Sequence, residues 1–484
     1  MGLVKRFAKD TAIYGIAAVL PKIVNVLLVK LHTAKLDPNL YSDNTQFYVY
    51  AVYFNVLLTY GMETAFFRFF TKLKDNTKVA QTAFTAILIT SIIFLTVFLL
   101  FANGISNFLQ IQKSYYILLI SILVLDTFVV IPYAYLRVNK RPMKFAFYRL
   151  FNISIYALLN IFFLLIIPYL IQIEYLSKSI EIQYDTHPKV IYIFLSNLVA
   201  SIFTFLLFIP IIKDFKLGID KQLLKKMLSY SWPIMVAGLA YATNENLDKL
   251  LLGRMIGKET MGIYAGVYKI GVLMSLYVTA FRLGAEPFFF SQHKEKNAKE
   301  QYAKILLWFT IFGAVFLVGI MAFLNLVVKL LIGQAIYLKA LQIVPVILTA
   351  YLIFGVYNNL SIWYKLTEKT RYGMYLSVLG ALITIVFNLV MIPKIGYMAS
   401  AWATLAAYGS MTLTSYFIGK KHYKVPYEMG KVMFYILSSG TLGMLMFEYF
   451  NHNFFIKIAI LFLYIIVVYL MERKDLKTLF AKKE

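Results

Sequence analysis

Lys213-Asp-Phe-Lys216-Leu-Gly-Ile-Asp220-Lys221-Gln-Leu-Leu-Lys225-Lys226 places five lysines between two apolar stretches, 191–212 and 230–252. Each stretch is about 20 residues long, enough to cross roughly 30 Å of hydrocarbon as a helix. Working outward in both directions gives fourteen such segments: 11–31, 46–69, 82–102, 114–136, 148–168, 191–212, 230–252, 260–283, 305–325, 341–363, 372–392, 398–419, 432–450 and 456–471. Of the 48 Lys and Arg, 31 lie in the N-terminal tail, every second loop after it, and the C-terminal tail. Only 9 lie in the intervening loops, and 8 lie inside segments. Cytoplasmic loops collect Lys and Arg, so this alternation orients every crossing and puts both termini in the cytoplasm. The expected fold is an all-α integral membrane protein of 14 transmembrane helices.

Composition agrees: 61% of residues are hydrophobic and the mean hydropathy is +0.72. A net charge of +25 would suggest nucleic-acid binding in a soluble protein. Here the charge sits in short loops, where it sets topology and meets anionic lipid, so no nucleic-acid partner is expected. There is no cysteine, which excludes disulfides and thiolate metal sites. His32, His187, His293, His422 and His452 all read as loop residues without ligand spacing, so no metal site is expected. Lys5, Arg6 and Lys9 precede an apolar stretch, as in a signal peptide, but Pro21 and Lys22 interrupt it and no cleavage site follows. It reads as a retained first helix.

The longest outside loop, 169–190, is too short for a soluble domain. Gly253-Arg-Met-Ile-Gly257-Lys258-Glu-Thr260 lacks the spacing of a phosphate loop and falls in an outside loop. ATP hydrolysis, an enzymatic activity and a bound cofactor are therefore not expected. Energy would come from an H⁺ or Na⁺ gradient, a partner or the substrate gradient.

The second and eighth segments match at an offset of 215 residues: Val52-Tyr53 with Val267-Tyr268, Leu58 with Leu273, and Thr64-Ala65-Phe66 with Thr279-Ala280-Phe281. The offset is six spans, and both segments run outside to inside. It implies two pseudo-symmetric six-helix lobes, residues 1–212 and 230–419, joined by a basic cytoplasmic linker, 213–229. Helices 13 and 14 with the basic tail, 420–484, are an appendage. Leu217, Leu223, Leu224 and Met227 would let the linker lie as an amphipathic helix on the bilayer surface. Each lobe opens with a proline-containing span, Pro21 and Pro233. Interrupted helices at matching places in two repeats point to a transport site, although proline is also common in ordinary membrane helices.

Charges at mid-membrane cost about 2.5–3.5 kcal/mol each on insertion scales, so they are rarely incidental. Lys22, Asp126 and Lys269 lie near the centres of their spans. Lys30, Arg68, Arg149, Arg282 and Lys457 lie at span ends and read as interfacial anchors. Two central lysines on different lobes suit a phosphate or diphosphate head group, since an ammonium recovers its desolvation cost when an anion arrives. Asp126 and Glu63 have two readings: structural partners of Lys22, or carriers of H⁺ or Na⁺ that couple a gradient to movement. Glu245, Asp248 and Lys249 share a helical face, as a gate or as a Glu245–Lys249 ion pair.

Three runs then carry a family resemblance: Ser231-Trp-Pro233-Ile, Asn246-Leu-Asp248-Lys249-Leu-Leu-Leu-Gly253, and Gly262-Ile-Tyr264-Ala-Gly266-Val-Tyr268-Lys269. The chain resembles the polysaccharide-biosynthesis flippases of the Wzx type, in the superfamily that also holds multidrug-and-toxin extrusion (MATE) transporters and lipid II flippases. The resemblance implies two lobes that rock around a central cavity. It implies translocation of a polyprenyl-diphosphate-linked oligosaccharide (an O-antigen, capsule or exopolysaccharide repeat unit) across a bacterial inner membrane. Lys22 and Lys269 are the nearest counterparts of the basic cavity residues of lipid II flippases, with lysine in place of arginine. Implied partners are the lipid-linked oligosaccharide, membrane lipids, and polysaccharide polymerase and chain-length machinery. A groove for the lipid tail at helices 13 and 14 is a further implication.

Three other readings remain beside this one. An ion-coupled exporter of organic cations would be repelled by two central lysines. A flippase for lipid II or teichoic acid would use the same features. A membrane polymerase or ligase would need catalytic Arg or His in a large outside loop, and 169–190 offers only Lys178, His187 and Lys189.

Overall fold

The computed structural model describes residues 3–73, 75–293, 295–450 and 453–480. His452 and the last residues of the expected cytoplasmic tail lie outside these. Among the described residues there is no strand. Each of the fourteen expected segments falls on helical backbone, some with a break of one or two residues. Among the described residues eleven helices are long and apolar enough to cross a membrane. The chain is an all-helical, multi-pass membrane protein.

Three expected spans, 46–69, 230–252 and 398–419, fall short of that apolarity among the described residues. Their helices carry polar and small side chains that are buried against protein, which lowers their mean hydropathy. Ser42, Asn44 and Gln46 are buried in the first of them, and Asn244, Asp248 and Lys249 in the second. The third buries Ser400, Thr404, Thr412 and Ser415 together with several alanines.

Chain contacts group the molecule into two units, Met1–Gly266 with Gly333–Tyr337, and Val267–Ile332 with Leu338–Glu484. The first unit contains α1 (Leu3–Lys35), α2 (Pro38–Thr59), α3 (Met62–Lys72), α4 (Asn76–Leu100), α5 (Ala102–Leu109), α6 (Lys113–Phe128), α7 (Val130–Val138) and α8 (Pro142–Ile161). It continues through a π-turn, α9 (Ile167–Gln172), α10 (Lys178–Asp185), α11 (Val190–Lys213) and α12 (Lys221–Met255). The π-turn at Phe162–Ile166 lies one residue before Pro168, whose missing N–H breaks the regular ladder. Helix α13 (Lys258–Gln292) has its first residues in this unit and the rest in the second.

Residues 221–229 do not form a separate surface helix. They are the opening turns of α12, which runs unbroken to Met255. The Asp220 carboxylate caps that helix by accepting from the Leu223 N–H at 3.0 Å. Leu223 and Met227, expected to face lipid, are buried in a cluster with Met62, Phe66, Ala83 and Phe84 from α3 and α4. Burying these apolar side chains together holds the opening of α12 against its own unit.

The second unit continues with α14 (Ala298–Ala322), α15 (Leu324–Leu331), α16 (Val344–Leu360), α17 (Ile362–Leu366), α18 (Arg371–Ile395), α19 (Met398–His422), α20 (Met429–Glu448) and α21 (Phe454–Phe480). Helix α19 packs against α16 and α18, and α14 against α16, α20 and α21. The last two helices are tied by Glu472, whose buried carboxylate accepts from the Tyr435 hydroxyl at 2.8 Å and meets Lys431 at 3.1 Å.

Candidate functional site

Lys22 stands on α1, exposed and one residue beyond Pro21, inside a continuous 33-residue helix. Pro233 likewise lies inside continuous α12. The break between α2 and α3 packs beside it. Tyr60 and Gly61 there take left-handed backbone, and a Cβ on Gly61 would sit 2.8 Å from the Ser231 carbonyl oxygen. Only glycine fits such a close approach at φ 73° without strain.

Glu63 opens α3 and is paired with Arg137 of α7 at 2.9 Å. The same guanidinium lies 4.7 Å over the Phe67 ring. Asp126, on α6, accepts a 2.7 Å hydrogen bond from the Ser201 hydroxyl of α11. Arg149 of α8 acts on it through space and stacks 4.3 Å over the Tyr133 ring. Arg149 thus serves a charge cluster within the first unit, in addition to sitting at a span end.

Asp248 and Lys249 form the most enclosed charge pair of α12, only 1% and 6% exposed. Lys249 Nζ lies 3.0 Å from one Asp248 oxygen and donates to the Glu245 main-chain carbonyl at 2.6 Å. The Tyr264 hydroxyl of α13 donates to the other Asp248 oxygen at 2.7 Å. The shared face expected from their spacing is therefore a knot between α12 and α13.

The first unit also holds a polar network that sequence reasoning missed. His32, which reads as a loop residue, lies on α1 and is bonded to the Asn160 carboxamide at 2.8 Å. The Tyr156 and Tyr48 hydroxyls lie 3.1 Å apart, and Asn197 reaches Tyr48 at 3.4 Å. Asn152 donates to Thr204 at 2.9 Å. Asn152, Tyr156 and Asn160 recur at i, i+4 and i+8, which aligns them on one face of α8. That spacing is the signal the sequence offers. His422 is also helical, as the last residue of α19. Among the described residues no acidic or histidine group forms a metal-binding cluster.

Lys269 is half-buried on α13 in the second unit. Beside it the Tyr268 hydroxyl meets that of Tyr351 on α16 at 3.0 Å, which fixes the face that Lys269 presents. Lys457 differs from the anchor expected of it. It is 1% exposed, and its ammonium has no hydrogen-bond partner among the described residues. Burying an unpaired charge costs free energy that an apolar side chain of similar length avoids. Lys457→Met should therefore raise the thermal midpoint of the purified protein in detergent, and a lowered midpoint would show that the amine has a necessary partner.

Known proteins share both the sequence pattern and the fold. The family described as polysaccharide biosynthesis protein matches residues 7–291, and the MatE family matches residues 233–390. No curated protein matches the chain. Among solved structures, lipid II flippase MurJ in an inward closed conformation superposes with a TM-score of 0.74 at 15% identity, covering 95% of this chain and 99% of that one. An inward-facing multidrug resistance MATE family transporter of the MOP superfamily gives 0.63 at 12% identity, covering 84% and 96%. A MOP superfamily transporter from Pyrococcus furiosus, described as having a binding pocket of reverse polarity, gives 0.55 at 12% identity, covering 87% and 97%. These likenesses show a shared fold. The match over more than half its length shows that the chain belongs to the polysaccharide biosynthesis protein family, on the fold of the MOP superfamily transporters.

Proposed function

We propose that this protein is a flippase that carries a polyprenyl-diphosphate-linked oligosaccharide from the cytoplasmic to the outer leaflet of a bacterial inner membrane. The observation that carries this reading is the pair of intramembrane lysines, Lys22 and Lys269, one in each unit of a chain from the polysaccharide biosynthesis family. A diphosphate bears the charge that offsets the cost of carrying two ammonium groups within membrane-spanning helices, and an organic cation does not. The transport step is physical rather than chemical. The head group is held by the lysines while the polyprenyl tail stays in lipid, and alternating access of the two lobes turns the head over.

Asp126 is the preferred coupling residue, because Glu63 is already held by Arg137 at 2.9 Å. A carboxylate bonded to a single hydroxyl can exchange a proton or accept Na⁺ without breaking an ion pair. Asp126→Asn should retain substrate binding and lose the dependence of transport on pH or Na⁺. An unchanged dependence in that variant removes Asp126 from coupling.

Reconstitution in liposomes with a fluorescent short-chain polyprenyl-diphosphate oligosaccharide in one arm, and ethidium in another, separates this reading from its rival. Leaflet exchange of the lipid without ethidium uptake is the expected result. Ethidium uptake without lipid exchange would establish a cation exporter instead.

A further inference from the structure

The second unit holds a cleft that the two central lysines do not explain. It is an open cleft with about 300 Å³ of empty space, the solvent it opens to included. Arg282 and Glu286 of α13, Asn358 and Asn359 of α16, and Lys365 of α17 supply its polar lining, and Phe309 of α14 forms one wall. The loop charges assign this end of the unit to the cytoplasm. Lys296, Lys299, Lys304, Lys369 and Arg371 lie in the adjoining segments.

Three features make this a built site rather than a gap in packing. Glu286 and Lys365 are ion-paired, so together they leave the lining without net charge. Arg282 then contributes one uncompensated positive charge, exposed and without an ion-pair or hydrogen-bond partner among the described residues. Asn359 is only 6% exposed, and its amide nitrogen is spent on the Gly355 carbonyl at 3.0 Å. Its carbonyl oxygen is buried and accepts no hydrogen bond among the described residues. A buried acceptor left in that state is costly unless a donor arrives.

The first unit handles its comparable arginines differently. Arg137 is paired with Glu63, and Arg68 is stacked 4.2 Å over the Tyr230 ring. The core around Phe66 and Met227 closes that region. Phe66 matches Phe281 in the internal repeat, so one repeat has sealed what the other leaves open.

The ligand chemistry follows from the lining. A guanidinium offers a fork of donors to a phosphate. The Asn359 carbonyl oxygen and the Glu286 carboxylate accept from hydroxyl groups. The ring of Phe309, with Phe281 4.6 Å away centroid to centroid, gives a flat apolar wall.

We propose that this cleft is a separate binding site for a phosphate ester bearing free hydroxyls, as in a glycosyl phosphate, loaded from the cytoplasmic side of the second unit. The inference rests on the flippase reading for the origin of such a ligand, but its geometry stands independently of Lys22 and Lys269. Two sources share the chemistry, a saccharide-linked phosphate and the glycerophosphate head of an anionic phospholipid.

The test is calorimetric titration of the protein in phosphatidylcholine nanodiscs with glucose 1-phosphate, glucose, inorganic phosphate and glycerol 1-phosphate. Glucose 1-phosphate should bind more tightly than glucose or inorganic phosphate. Arg282→Gln, a change at an exposed side chain that leaves packing alone, should weaken it by about tenfold or more. Asn359→Leu should reduce the preference for glucose 1-phosphate over inorganic phosphate, and Lys22→Ala/Lys269→Ala should leave binding unchanged. Equal binding of glycerol 1-phosphate would support the site and make a phospholipid head its source. Absence of binding in the millimolar range, or binding indifferent to Arg282→Gln, overturns the inference. Binding by a wild-type protein that moves no lipid would uphold the cleft and sink the flippase reading instead.

Discussion

Lys269→Ala is expected to remove detectable leaflet exchange of a lipid-linked oligosaccharide while expression, membrane insertion and thermal stability stay near those of the parent. The side chain is half-buried on a membrane-spanning helix, beside the Tyr268–Tyr351 contact that sets its face. Truncating the side chain leaves the neighbouring Tyr268–Tyr351 contact in place, so the fold should not suffer. The head group loses a charge-assisted contact of about 1.5–3 kcal/mol, a factor of roughly ten to a hundred in holding the diphosphate. Lys269→Arg is the informative companion. It keeps the charge but replaces a point donor with a fork, so partial exchange with altered substrate preference is expected. Comparing exchange rates of the three proteins at matched incorporation checks the prediction, and a normal rate for the alanine variant would defeat the clamp.

Asp248→Ala should cost the protein more stability than a substitution at any of its other intramembrane charges. Asp248 is 1% exposed and accepts from the Tyr264 hydroxyl while pairing with Lys249, itself 6% exposed. Removing the carboxylate strands a buried ammonium, a change that costs about 3–5 kcal/mol in comparable pairs. It also unties α12 from α13, where the first unit gives way to the second along the chain. Asp248→Ala/Lys249→Met should recover most of the loss, because no charge is then left unpaired. Unfolding midpoints in detergent for the single and double variants decide the matter. A single variant within about 1 kcal/mol of the parent would mean that Lys249 finds another partner at little cost.

The membrane-spanning segments are legible because about 20 apolar residues between charged loops leave few alternatives to a crossing helix. Even so, hydropathy alone falls short at α2, α12 and α19, whose polar residues face protein. There the alternation of loop charge carries the reading. The continuous α12 is hidden because Asp220 looks like one more loop charge, whereas it is the cap that starts the helix inside the basic stretch. Likewise Leu223 and Met227 have the spacing of a surface helix and of a core-facing one alike, and only the partners from α3 and α4 decide between them.

The candidate site is legible as a set of charges and illegible as a set of pairs. Span position singles out Lys22, Asp126, Lys269 and the Glu245–Lys249 group without saying which side chains meet. Glu63 pairs with Arg137 and Asp126 accepts from Ser201, contacts made across 74 and 75 residues of chain. Lys457 departs from its expected anchoring role because distance from a span end predicts snorkelling only when the side chain faces lipid. The His32–Asn160 and Tyr48–Tyr156 contacts leave no trace in the charge pattern, because tyrosine and asparagine raise no such signal in an apolar helix.

If Lys22 and Lys269 hold a diphosphate head group during its passage, removing both should stop transport. The most direct measurement is the rate at which a fluorescent short-chain polyprenyl-diphosphate oligosaccharide changes leaflet in liposomes, for the parent and for Lys22→Ala/Lys269→Ala at equal incorporation. The parent should exchange the lipid rapidly and the double variant only at the protein-free background rate. Equal rates for the two proteins would mean that the lysines do not hold the head group.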